Sequence, residues 1–131
     1  MPPMVTLLDG PVGSLLADFG VETPEPLWSA AALVSAPHAV SRIHEAYASA
    51  GACVHTAATF RTKARQAGAA WEHLTRLAVE LARGAVPPGH RVAGRLSPPE
   101  DGDRPDLSPA DPRPHHRARA RALAAAGVDL N

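Results

Sequence analysis

The sequence predicts an α/β fold with about four parallel strands and helices packed outside them. Three observations carry this expectation. Residues 48–54 read ASAGACV and residues 124–130 read AAAGVDL, so an alanine-rich helix end, a glycine and a short strand-like run occur twice. Candidate strands begin near residues 5, 53, 91 and 128, and each gap between them holds residues at helical spacing. The last two gaps are each roughly forty residues, the size of one βα unit, and such alternation requires parallel pairing through crossovers.

Taken in order, Val5–Leu8 is the first strand, and the long gap after it has room for an extra helix. Pro37, following Ser35, suits the first turn of a helix on which Val40, Ile43, Ala46 and Tyr47 recur at helical spacing. Gly51 stands where that helix needs a left-handed closing residue, and Cys53–Thr56 follows as the second strand. Residues 70–83 place Trp71, Leu74, Leu77, Ala78 and Leu81 on one helical face. Arg91–Leu96 is the third strand, between proline-rich irregular segments around 87–90 and 97–114. Ser108-Pro109-Ala110-Asp111 resembles a capping start, but Pro112 and Pro114 defer the regular helix to about Pro114. Gly127 closes that helix, and Val128–Leu130 begins a fourth strand.

Composition bounds the rest. With 131 residues the chain makes one domain, 1–131. A net charge of zero gives no reason to expect nucleic acid or a membrane surface as a partner. The apolar fraction of 45% is rich in alanine and only 4% of residues are aromatic, which predicts a thin core. One cysteine, Cys53, excludes a disulfide within the chain and any zinc site built mainly from its own thiolates. The N-terminus is not a secretory signal and no run is apolar enough to span a bilayer, so a soluble cytoplasmic protein is expected.

The segment LLDGPVGSLLADFGVETPEPLWSAAALVSAPHAVSRIHEAYASAGA resembles the opening of homocysteine S-methyltransferases. The matching features are Asp9-Gly10, Gly13-Ser14-Leu15 and Leu27-Trp28-Ser29-Ala30, then His44, Tyr47, Ala50-Gly51-Ala52 and Thr56-Ala57-Ala58-Thr59-Phe60. The likeness returns at Val92-Ala93-Gly94 and runs from Ser108-Pro109 through His116 to Ala126–Leu130. The resemblance implies a TIM-type (β/α) barrel, of which this chain supplies the N-terminal half. It also implies methyl transfer to homocysteine, whose thiolate is held on a zinc bound by three cysteines of later strands. It assigns Asp9, with Gly10 beside it, to the substrate's ammonium group. Thr56 and Thr59 become candidates to line the mouth of that site, and strand-end hydroxyls bonded to backbone are the plain alternative. For Asp9 the plain alternative is a turn or helix-capping carboxylate.

The departures are equally specific. Pro11 replaces the second glycine after the aspartate, and Gly94-Arg95-Leu96-Ser97-Pro98 stands for the family's Gly-Ser-Ile-Gly-Pro turn. The family's glutamate after the fourth strand and its zinc cysteines have no counterpart before Asn131, and Cys53 reads as a small buried residue. No catalytic residue, metal ligand or cofactor is therefore expected from these residues alone. Homocysteine binding should be weak or absent until a complementary half-barrel chain completes the domain. The alternative is a non-catalytic remnant, or a module that closes its edges as a homodimer.

Histidines at 38, 44, 55, 73, 90, 115 and 116 show no pair at helical ligand spacing, and His44 and His116 read as structural. Arg113, Arg117 and Arg121 form a basic stripe of a solvated outer helix, with Arg119 displaced from it. Glu100-Asp101-Gly102-Asp103 reads as an exposed linker without the ligand spacing of a calcium loop.

Overall fold

The computed structural model describes residues 4–99 and 105–131, and the acidic run Glu100–Asp103 lies outside the described residues. Its centre is a parallel pair, β1 (Val54–Thr56) and β2 (Arg91–Ala93), in the register Val54 with Arg91, His55 with Val92 and Thr56 with Ala93. Single parallel bridges extend the pair on both sides, Leu8 to Val54 and Ala93 to Leu130. The α/β class and the parallel direction are as expected, but two of the four expected strands are present only as these bridges. The physical reason lies in two aspartates. The carboxylate of Asp9 accepts the Thr56 N–H at 2.8 Å, and that of Asp129 accepts the Val92 N–H at 2.8 Å. Each side chain thus takes an amide that a longer ladder would pair with backbone.

The third strand also ends sooner than the expected Leu96. Gly94 passes α6 (Arg113–Ala126) so closely that a Cβ there would stand 2.7 Å from Leu123 Cδ2. Beyond it the Arg95 N–H is bonded to Thr59 Oγ1 at 2.8 Å, which takes residue 95 out of strand pairing.

The helices follow the sequence more closely. The long first gap holds α1 (Val12–Asp18), a 3-10 turn at Trp28–Ala31 and the short α2 (Ala32–Ser35). A cis peptide bond joins Glu25 to Pro26 ahead of that turn. Next comes α3 (Pro37–Ser49), with Pro37 in its first turn. It buries Val40, Ile43 and His44, whereas Ala46 is exposed. After the short α4 (Ala64–Ala67), α5 (Trp71–Ala85) buries Leu74, Thr75, Ala78, Val79 and Ala82. Its buried stripe is turned toward the smaller residues, leaving Trp71, Leu77 and Leu81 at the margin. The last helix begins at Arg113, and the Asp111 carboxylate accepts the Arg113 N–H at 3.1 Å. Gly51 (φ 110°) and Gly127 (φ 91°) both occupy the left-handed region that a closing glycine requires.

The core joins Leu16, Ala30, Leu33, Val40, Ile43, Leu74, Ala78, Val79, Ala82, Val92 and Leu123. Small side chains fill much of it, as the composition demands. Cys53, expected to be buried, is only half-buried, but its backbone is paired on both sides, to Leu7 and to Arg91. Among the described residues no helix is long and apolar enough to cross a membrane.

Candidate functional site

Parallel strands bring their C-terminal ends to one side, and the side chains that follow them converge there. Asp9 follows the Leu8 bridge, Thr56 ends β1, and Arg95 lies two residues past β2. Together with Gly10, Ser29 and Phe60 they line a cavity of about 440 Å³. Asp9 is neither a helix cap nor a simple turn residue. Its two oxygens accept the Thr56 N–H at 2.8 Å and the Thr56 hydroxyl at 3.1 Å, so the carboxylate is oriented by the neighbouring strand end.

Gly10 is held by contact rather than by conformation. A Cβ on it would stand 2.6 Å from the Tyr47 hydroxyl, which donates to the Pro11 carbonyl at 2.8 Å. Tyr47 rises from α3 and braces the Gly10-Pro11 turn, although its sequence spacing marked it only as a core position. Burial, and secondly the charge of Asp9, push its phenol above the usual value.

Of the four residues singled out from sequence, Asp9, Gly10 and Thr56 line the cavity and Thr59 does not. Thr59 is fully buried, donating to the Arg95 carbonyl at 3.2 Å and accepting the Arg95 N–H. It fastens the two loops that follow β1 and β2, the plain reading of a strand-end hydroxyl. Arg119 reinforces the same junction. Only 2% exposed, it donates to Ser97 Oγ at 3.0 Å and to the carbonyls of Thr59 and Arg95. Burial lowers its pKa from the ordinary arginine value. Its displacement from the basic stripe was the only sequence signal for this role, and Arg113, Arg117 and Arg121 are exposed as expected.

Arg95 puts one cation on the cavity wall. The guanidinium of Arg95 lies 5.6 Å from the centre of the Phe60 ring, with Arg61 at 5.6 Å and Lys63 at 5.5 Å from the same ring. A carboxylate and an arginine lining one cavity suit a ligand that carries both charges.

Behind the strand ends lies a second group that sequence spacing did not reveal. Asp9, His44 and His55 each offer one ligand atom within 4.8 Å of the others. Both imidazoles are fully buried, and neither nitrogen of His44 nor Nδ1 of His55 has a hydrogen-bond partner in good geometry. Burial lowers the pKa of His44 to about 4, with Asp9 opposing and His55 adding to the effect, and burial likewise lowers that of His55. The remaining nitrogen of His55, Nε2, lies 2.9 Å from Nδ1 of His90, whose ring is within 6° of parallel to it. These residues come from the first strand, α3 and β1, so no local motif could announce them.

The sequence profile of the family described as homocysteine S-methyltransferase matches residues 6–131. The chain belongs to the homocysteine S-methyltransferase family. Homocysteine S-methyltransferase 1 of Zea mays is 29% identical over 154 aligned positions, covering 95% of this chain and 48% of that protein. Homocysteine S-methyltransferase 4 of the same plant is also 29% identical, covering 95% and 45%. Among solved structures, the homocysteine methyltransferase MmuM of Escherichia coli in its metallated form superposes with a TM-score of 0.80 at 28% identity, covering 98% of this chain and 53% of that one. Its oxidized form gives a TM-score of 0.78 at 28% identity, over 96% and 51%. The chain therefore spans about half the length of the family members it matches.

Proposed function

We propose that residues 1–131 form the amino-acid-binding half of a (β/α) barrel domain that transfers a methyl group to homocysteine. The observation that carries this reading is Asp9, held by Thr56 at a parallel strand end and opening into the cavity that Arg95 also lines. In it Asp9 takes the substrate's ammonium group and Arg95 its carboxylate, which orients the thiol away from these residues. The arginine that departs from the family pattern thereby acquires a use.

The sulfur must be deprotonated to attack a methyl donor. In the family this task belongs to a zinc held by three cysteines. The residues here do not fit that ligand set. Cys53 is the one cysteine, and its Sγ lies 3.9 Å from the Leu7 carbonyl at the start of β1, away from the cavity. Thiol activation therefore falls to the complementary half of the domain, and no step through that metal is assigned to these residues.

The exposed apolar side chains of Leu7, Leu8 and Leu130 lie beside the two outermost bridges, where further strands of the barrel would pair. The superposed MmuM structure, of which this chain covers 53%, has the length to supply them.

Calorimetric titration of homocysteine into this chain, alone and joined to a complementary half, tests the reading. Binding in the joined form that is lost in Asp9→Ala and weakened about tenfold or more in Arg95→Ala is expected. Binding indifferent to both substitutions overturns it. If a second copy of the chain satisfies the edges instead, the protein is a symmetric dimer that ignores the added half.

A further inference from the structure

The geometry points to a second, thiolate-free metal site: Asp9, His44 and His55 hold a divalent ion of the Zn²⁺ type between the first strand end and α3. The site differs from the family's cysteine-bound zinc in ligands and in position.

The first argument is the hydrogen-bond deficit. A buried ring nitrogen without a partner costs about 1–3 kcal/mol, and native interiors avoid it. Here both nitrogens of His44 are such atoms, beside a carboxylate and beside His55, whose Nδ1 has no partner in good geometry and only the Ala52 backbone close by. His55 shares a register line with Val92, a member of the apolar core, so its ring is on the face where that core packs. An ordinary core would place a leucine or valine there. A cation between the three groups supplies what the nitrogens lack, and two imidazoles with one carboxylate are the donors that Zn²⁺, Co²⁺ and Ni²⁺ prefer.

The second argument is the outer shell. A ligating histidine typically passes its other N–H to an acceptor that fixes its tautomer. With Nδ1 of His55 on the metal, Nε2–H donates to Nδ1 of His90, the contact already made at 2.9 Å. Asp9 is oriented in the same way by the Thr56 amide and hydroxyl, and each of its oxygens keeps a free lone pair. Ligand atoms of a tetrahedral Zn²⁺ stand about 3.4 Å apart, from bonds of about 2.0–2.1 Å. The present limit of 4.8 Å is thus closed by side-chain rotation of about an ångström per group. Because Asp9 also lines the cavity, the fourth position is open to water, and a bound ion competes with an ammonium group for the same carboxylate.

The test needs no homocysteine, so its outcome is independent of the methyl-transfer reading. The tag-free chain is stripped with chelator, dialysed against Zn²⁺ and analysed for bound metal, and Co²⁺ loading is followed by absorption. One equivalent per chain is expected. Binding should weaken at least a hundredfold in His55→Leu and about 10–100-fold in His90→Ala, which removes only the outer-shell acceptor. The Co²⁺ spectrum should lack a thiolate charge-transfer band and be unchanged in Cys53→Ser. Circular dichroism establishes that His55→Leu is folded, and His90→Ala decides the matter if it is not. Failure to take up stoichiometric metal overturns the proposal, as does full affinity in a folded His55→Leu or in His90→Ala. A thiolate band abolished by Cys53→Ser overturns it too.

Discussion

The edge of one ring separates Gly10 from any other residue. The Tyr47 hydroxyl stands 2.6 Å from where a Cβ would be, and it is fixed there by its bond to the Pro11 carbonyl. Gly10→Ala must displace the phenol, break that bond and loosen the turn that carries Asp9. We expect a loss of about 1–3 kcal/mol in urea denaturation, from overpacking and the lost hydrogen bond. Gly10→Ala should cost less in a Tyr47→Ala background than in the parent chain, because the ring atoms met at 2.6, 2.9 and 3.0 Å are gone, and an equal cost in both backgrounds would refute the contact. Arg119 is the complementary case at this scale. A glycine makes room at the front of the site, while a buried guanidinium ties its back together through Ser97, Thr59 and Arg95.

At the scale of elements, the outermost bridge depends on a charge. The Asp129 carboxylate accepts the Val92 N–H and pairs with Arg83 at 2.9 Å, and these two contacts hold its pKa below the ordinary aspartate value. A depressed carboxylate contributes stability that is complete above its unfolded pKa of about 4 and is lost as pH falls through its folded value. Asp129→Asn should therefore lower the urea midpoint at pH 7. The gap to the parent chain should narrow below about pH 4 and close once Asp129 is protonated in the folded state. A gap constant with pH would show that the charge is not what matters. The same bridge shows what sequence reading could reach. Helix positions were legible because Pro37, Gly51 and Gly127 punctuate them and because apolar spacing is local. Strand extents were not, because the ladder bonds of Val92 and Thr56 go to aspartate side chains, and side-chain competition has no period. In the site, Asp9, Gly10 and Thr56 were legible through family resemblance. His55 and His90 were not, since their pairing spans two strands. Thr59 stayed ambiguous in the sequence because a strand-end hydroxyl looks the same whether it faces a cavity or a neighbouring loop.

For the whole molecule, the arrangement is a short parallel sheet with helices packed on it and both margins carrying exposed leucines. Parallel sheets are stable when their edges are covered, and Leu7, Leu8 and Leu130 are 52%, 68% and 40% exposed. Light scattering of the isolated chain should show self-association that rises with concentration and is suppressed by a complementary half. Leu8→Lys should reduce it, because an edge charge opposes strand addition. A monomer at all concentrations would mean that the margins are already protected. The Arg119 clamp has a consequence for a chain made from its N-terminus. The carbonyl it satisfies on Thr59 is sixty residues earlier in the sequence. While synthesis proceeds, the loop after β1 leaves the ribosome sixty residues ahead of the guanidinium that fastens it, and Arg95 in the loop after β2 leaves 24 residues ahead. The pocket mouth is thus assembled from early residues and finished by a late one. A nascent chain stalled before Arg119 would present helices and strands around an unfastened mouth, and a protease should cut it there.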